Sequence, residues 1–375
     1  MLDRTDKSII GIWWWTVDKW ILTSALLLII IGGILIMAAS PPVANAIRLP
    51  EDHFVWKQLI FSIPASFTII FLSFLKNYQI RLISFLGLIV TFILMLSTLL
   101  IGPEAKGATR WISLGPLTIQ PSEFSKPFFA IICAWLLSTW KKEKNFRGWI
   151  WATFLLLIIV GILIKQPDIG MSLIILLTWG VQIFLAGMPL LLVLFLMALT
   201  PLILLFVYKN VEHVEKRVDQ FIEGNAFQIK KSIQSFENGG IFGVGPGDGT
   251  IKLNLPDAHA DFIFSVAAEE YGVIVCLILV GIYSFFVLRG FKISINSNNL
   301  FSLLAISSLS LQFGVQAAIH MSSTLNLIPT KGMTLPFISY GGSSLLATSI
   351  SIGFILALTR NINTVFKLED ERKIN

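Results

Sequence analysis

The run Ile21-Leu22-Thr23-Ser24-Ala25-Leu26-Leu27-Leu28-Ile29-Ile30-Ile31-Gly32-Gly33-Ile34-Leu35-Ile36-Met37-Ala38-Ala39 decides the fold class. It contains no charge over about 19 residues, and about 20 residues of α-helix cross the hydrocarbon core of a bilayer. Ala44-Asn45-Ala46 imitates a signal-cleavage site, but a signal core is only about 7–15 residues long. The run therefore reads as a retained first span. Comparable stretches recur at 55–75, 82–101, 123–140, 149–164, 169–186, 189–208, 262–288, 300–320 and 345–360. The expected fold is an all-α integral membrane protein, a polytopic bundle of about ten transmembrane helices forming one membrane domain over 1–375.

Composition agrees. The chain has 375 residues, 55% hydrophobic and 13% charged, with a mean hydropathy of +0.79. Soluble domains average about 25% charged residues. Barrel strands would be about half as long as these runs and would alternate. The net charge of +6 therefore reports orientation before any nucleic-acid contact, and no nucleic acid is expected. Cys133 and Cys276 lie within apolar runs and read as small buried hydrophobes. No internal repeat suggests an inverted-repeat transporter.

Short loops set the topology. With the N-terminus inside, Arg4, Lys7, Lys19, Lys76, Arg81, Lys141, Lys142, Lys144, Arg147, Arg289, Lys292 and the basic tail all face the cytoplasm. The positive-inside rule thus places both termini there. Trp13, Trp14, Trp15, Trp149 and Trp151 suit interfacial belts. Three segments fall outside: 102–122, 209–261 and 321–344. The second, between spans seven and eight, is a long extracytoplasmic loop. Phe221, Ile222, Ile229, Ile233 and Phe236 within it suggest a helix lying on the outer membrane surface. Its glycine run, Gly239 to Gly249, lacks the G-x-G-x-x-G spacing and the strand–helix setting of a nucleotide site; it reads as a flexible or tightly turned loop.

The chemistry gathers in these outer segments. In Leu255-Pro256-Asp257-Ala258-His259-Ala260-Asp261-Phe262-Ile263-Phe264 a polar loop enters an apolar helix, and a carboxylate there is costly unless hydrated, paired or used. Asp257 is the better helix cap, which would leave Asp261 one turn into the helix, facing a cavity. His259 either orients Asp261 or is an ordinary interfacial histidine. Ser122 and Glu123 mark a helix start. Lys126, one turn on, needs a partner such as Glu123 or an anionic ligand. The stretch from Ile328 to Ser344 is nearly uncharged apart from Lys331, and it offers Gly341-Gly342 with Ser339, Ser343 and Ser344. One outer carboxylate and the cations Arg110, Lys126 and Lys331 suit transfer of a sugar from a lipid-linked pyrophosphate. The carboxylate would take the acceptor's proton, and the cations would stabilise the leaving charge.

At these residues the chain resembles the SEDS family of membrane glycosyltransferases (shape, elongation, division and sporulation) over nearly its whole length. Pro329-Thr330-Lys331-Gly332-Met333-Thr334-Leu335-Pro336, Arg4-Thr5-Asp6 and the tryptophan opening resemble its FtsW-like division branch. The resemblance implies a peptidoglycan glycosyltransferase of the bacterial inner membrane at the division septum. It would polymerise lipid II into a growing glycan strand beside a class B penicillin-binding transpeptidase and other division proteins. It makes Asp261 the catalytic carboxylate and puts Arg110, Glu123, Lys126 and Lys331 around the substrate cavity; His259, Ser339, Ser343 and Ser344 are expected to join them as substrate-binding residues. Asp257 and Ala260 stand where the family usually has Glu and Thr. Gln166-Pro167-Asp168 matches another family motif, structural or cavity-lining. No cofactor or metal site is expected, with a divalent cation on the pyrophosphate left open. The rival readings are a lipid II flippase, which needs a polar route across the whole bilayer, and a non-catalytic division scaffold.

Overall fold

A computed structural model of the chain describes residues 8–374 except 104–107, 116, 144, 190, 192–207, 210–214, 216–217, 220, 224–226 and 331. The chain runs α1 (Ile9–Thr16), α2 (Lys19–Ala46), α3 (His53–Ser73), α4 (Asn77–Ile101), β1 (Ile112–Leu114), β2 (Leu117–Ile119), α5 (Pro121–Lys142), α6 (Gly148–Lys165) and α7 (Ile169–Leu185). It continues through α8 (Phe227–Gly239), a 3-10 turn (Ile251–Asn254), α9 (Ile263–Ile295), α10 (Leu300–Thr324) and α11 (Gly342–Ile374). Among the described residues seven helices are long and apolar enough to cross a membrane. Two more expected spans, 123–140 and 169–186, coincide with α5 and α7. The chain is a helical membrane protein. The expected span 189–208 lies almost wholly outside the described residues.

Burial sorts the helices into a centre and a rim. In their most apolar windows α10 is 72% buried and Gly342–Arg360 of α11 78%, against 22% for α3 and 28% for α4 and α9. α5, whose residues from Pro121 to Ala134 are nearly all buried, joins that centre. The rim shows the lipid-facing pattern, with Ile60, Ile63, Phe67 and Phe71 of α3 exposed. The centre is held by polar side chains as much as by packing. Gln182 donates to Ala130 O at 2.8 Å and Ser308 Oγ at 2.6 Å. Gln312 donates to Lys126 O at 3.0 Å and Thr178 Oγ1 at 2.9 Å. In a medium without water such groups must find protein partners.

At one end the expected belt divides. Trp14 and Trp15 are exposed and carry Lys19 over their rings at 4.7 and 4.8 Å. Trp13 is instead buried: it stacks on Phe74 and donates to Ser73 Oγ at 2.7 Å. Arg289 of α9 pairs with Asp18 at 2.8 Å, and Arg360 donates to the last carbonyls of α3 at Ser73 and Phe74.

The segments expected outside are built rather than loose. α9 is broken at Gly272, whose φ of 77° lies in the left-handed region that glycine adopts freely. The break frees backbone groups, and the glycine run takes them up. Val273 N and Ile274 N donate to Gly240 O and Ile241 O, while Val244 N and Gly245 N donate to Glu269 O and Glu270 O. That exchange requires close approach, since a Cβ on Gly272 would stand 2.3 Å from Ile241 O. Glu269 accepts from Asn238 Nδ2 and from Ile251 N and Lys252 N, and Glu270 is ion-paired with Lys252. The expected amphipathic helix appears as α8, but it packs on the protein. Ile229 is buried, Phe236 meets Phe264, and Ser232 bonds to Ser265 Oγ and Thr324 O, each at 2.6 Å.

Candidate active site

The segment before α9 carries Asp261. The helix begins at Ile263 with no side-chain cap, so neither Asp257 as cap nor Asp261 one turn into the helix matches the structure. Asp257 has a φ of 53°, and its carbonyl accepts from both Ala260 N and Asp261 N, each at 3.0 Å. The chain therefore turns tightly and presents Asp261, half-buried, ahead of the helix. His259 is buried between the rings of Phe54 and Tyr340, at 4.2 and 5.2 Å. Ser339 donates to Ala260 O at 2.6 Å and accepts from Leu335 N, and Tyr340 N donates to His259 O at 2.9 Å. His259 and Ser339 thus fasten this turn to the segment 335–340. Burial raises the Tyr340 phenol above its ordinary pKa.

Asp261 opens on a cavity of about 220 Å³. Lys57 and Phe61 of α3 line one side, and Trp111 and Thr118 of the β1–β2 hairpin another. Gln120 and Glu123 at the start of α5 follow, with Gly332, Thr334 and the turn Tyr340 to Ser344. The hairpin pairs Ile112 with Ile119 and Leu114 with Leu117. A Cβ on Gly332 would stand 3.4 Å from Asp261 Oδ2, so the carboxylate lies against that backbone. Four expected site residues, Asp261, Glu123, Ser343 and Ser344, therefore share one cavity although they come from segments far apart in sequence.

The other expected residues lie around it. Lys126 is buried beneath and donates to Glu123 Oε2 at 2.6 Å and Gln316 Oε1 at 2.5 Å. Gln316 donates in turn to Thr334 O at 3.0 Å and more distantly to Ser344 Oγ, at 3.4 Å. Ser343 Oγ accepts from Gln120 N at 3.0 Å, tying α11 to α5. Arg110 does not line the cavity. It donates to the carbonyls of Gln166 and Pro167 and stands 3.7 Å from Asp168, which caps α7. Gln166 donates to Met95 O and Thr98 Oγ1, so Gln166-Pro167-Asp168 binds α4, the hairpin, α6 and α7 together. Lys331 lies outside the described residues. Among the described residues no group of three His, Cys, Asp or Glu could hold a metal ion.

The arrangement sets a carboxylate and an ammonium at one crevice, closed below by the Glu123–Lys126 ion pair. The family model of the cell cycle proteins FtsW, RodA and SpoVE matches residues 18–364. The chain belongs to this family. It is 38% identical over 361 residues to the probable peptidoglycan glycosyltransferase FtsW of Caulobacter vibrioides, covering 95% of this chain and 93% of that one. It is 36% identical to the protein of the same name from Saccharophagus degradans, over 74% and 75% of the two chains. Among solved structures it is similar to a chain of a peptidoglycan synthase complex that coordinates polymerization and crosslinking. There the TM-score is 0.77 at 26% identity, over 92% of this chain and 98% of that one. The rod shape determining protein RodA of Thermus thermophilus superposes with a TM-score of 0.68 at 25% identity, over 93% and 98%. Within this cell cycle family member, sequence reasoning missed Lys57 and Gln316. Lys57 carried one signal, a cation at the end of a span that the charge pattern places outside. Gln316 carried none, because an amide amid serines and alanines reads as interhelical packing.

Proposed function

We propose that the chain is a peptidoglycan glycosyltransferase that polymerises lipid II at the outer face of the bacterial inner membrane during division. Asp261 acts as general base on the acceptor sugar hydroxyl, and transfer inverts the donor carbon without a covalent intermediate. The observation that carries this reading is the shared cavity, where Asp261 faces Glu123, Lys57, Ser343 and Ser344. Family membership and the names of its relatives support the substrate class. The architecture we infer has ten spans, with the seventh in 189–208, both termini cytoplasmic, and 209–261 as a periplasmic loop. A class B transpeptidase is the expected partner, a reading supported by the synthase complex to which the fold is similar. Arg110 acts from a distance by bracing the hairpin, Lys126 by neutralising Glu123, and Lys331 is assigned to the pyrophosphate.

The test is glycan synthesis from lipid II by the purified complex. Asp261→Asn should lower polymerisation by about 100- to 10,000-fold, the range of a lost general base, with expression and partner binding intact. Full-length glycan from that variant would sink the assignment. Lipid II translocation into liposomes without polymer, by the native chain, would favour a flippase.

A further inference from the structure

We propose that Lys57 stabilises the charge on the departing pyrophosphate, an inference that rests on the glycosyl-transfer reading above. Lys57 lies half-buried in the second turn of α3 and lines the same cavity as Asp261. Its neighbours on that helix face fix its place. Phe54, three residues before, meets the His259 ring at 4.2 Å in a tilted contact. Phe61, four residues after, is so close to the turn at α11 that a Cβ on Gly342 would stand 2.9 Å from its ring. Residues three and four apart share a helix face. Lys57 is therefore held between the segment that carries Asp261 and the glycine turn that opens α11.

Charge singles it out. Arg110 is engaged by Gln166, Pro167 and Asp168, and Lys126 by Glu123 and Gln316. Lys57 forms no ion pair among the described residues. The cavity carboxylate Glu123 is already neutralised by Lys126. A cation near the positive end of its own helix, at the edge of a membrane span, gains most from an anionic ligand.

The step balances as follows. The acceptor hydroxyl oxygen bonds to the donor's anomeric carbon while the bond from that carbon to the pyrophosphate oxygen breaks. The electron pair leaves with the lipid pyrophosphate, and the hydroxyl proton passes to the Asp261 carboxylate. Negative charge thus grows on the pyrophosphate in the transition state, where a fixed ammonium is most effective. Such an interaction belongs to kcat rather than to KM.

The experiment compares Lys57→Met and Lys57→Arg in the intact complex with its transpeptidase. It reads kcat and KM for lipid II, together with inhibition by added polyprenyl pyrophosphate. Lys57→Met should lower kcat about 100-fold, as removal of one preorganised charge contact does, and should weaken inhibition by the pyrophosphate. Lys57→Arg should restore most of both. Native kcat to within about twofold in Lys57→Met, or a rise in KM alone, overturns the proposal. So does a loss of rate that Lys57→Arg fails to rescue while inhibition is unchanged, since that is the behaviour of a packing residue. If the native complex polymerises and Asp261→Asn does not while Lys57→Met is unaffected, only the Lys57 assignment falls. If the native complex makes no glycan, the broader reading falls and takes this one with it.

Discussion

Lys126 shows how a single residue divides structural from chemical work. The residue is only 4% exposed, and its ammonium spans Glu123 on its own helix and Gln316 on α10. Removing one partner of a buried pair leaves an uncompensated charge and costs about 3–5 kcal/mol. Lys126→Met should therefore lower the melting temperature of the purified protein markedly. Adding Glu123→Gln should recover much of the loss, and equal melting of the single and double variants would contradict this account. The helical pair itself was legible, because Glu123 and Lys126 are three residues apart. Its third member was not, since Gln316 lies 190 residues further on and no local pattern links them. Ser339 and His259 were read from their segments as substrate-side residues, and their contacts fasten the Asp261 turn. A polar residue beside a site cannot declare from sequence which of these two tasks it has.

At the scale of elements, the break in α9 and the glycine run form one structure. The glycines looked like tight turns in the sequence, and they are. Their partner was invisible, because backbone exchange between residues 240–245 and 269–274 leaves no mark on side-chain pattern. The same holds for Glu269 and Glu270, whose contacts with 251–252 pin the loop before α9 to that helix. Gly272→Ala should disrupt this exchange, since its Cβ would collide with Ile241 O and its backbone would be strained. Hydrogen exchange over 239–254 should then rise sharply. Gly281→Ala in the same helix, with open space around its Cβ, should leave that exchange unchanged. Comparable exchange in both variants would refute the coupling. α8 carries a related lesson. Amphipathicity announced a helix but not what it would lie against, and its inner edge met protein, with Phe236 against Phe264 and Ser232 bonded to Ser265 and Thr324 O.

For the whole molecule, apolar length marked the seven described helices that are long and apolar enough to cross a membrane, and charge asymmetry proposes an orientation open to a labelling test. The buried free thiols Cys133 and Cys276 make the chain suitable for that test. A cysteine at Leu253, which is exposed in the loop proposed to lie outside, should react with a membrane-impermeant maleimide in intact cells. A cysteine at the exposed Asn298, between α9 and α10, should react only after the membrane is opened. The reverse pattern would invert the topology and remove Asp261 from the side where glycan is made. What the sequence could not supply was the meeting of α3, the hairpin, α5 and the turn before α11 at one cavity. That convergence depends on packing at the centre of the bundle, where Gln182 and Gln312 join α5, α7 and α10, and Gln316 of α10 meets Lys126 of α5 and Ser344 of α11.

The most direct test of that convergence is photocrosslinking with a lipid II analogue that carries its reactive group beside the pyrophosphate, on the Asp261→Asn variant in its complex. The account predicts label on peptides from 53–61, 257–264 and 332–344 together. Label confined to lipid-facing residues of the rim, with none on those three segments, would contradict it.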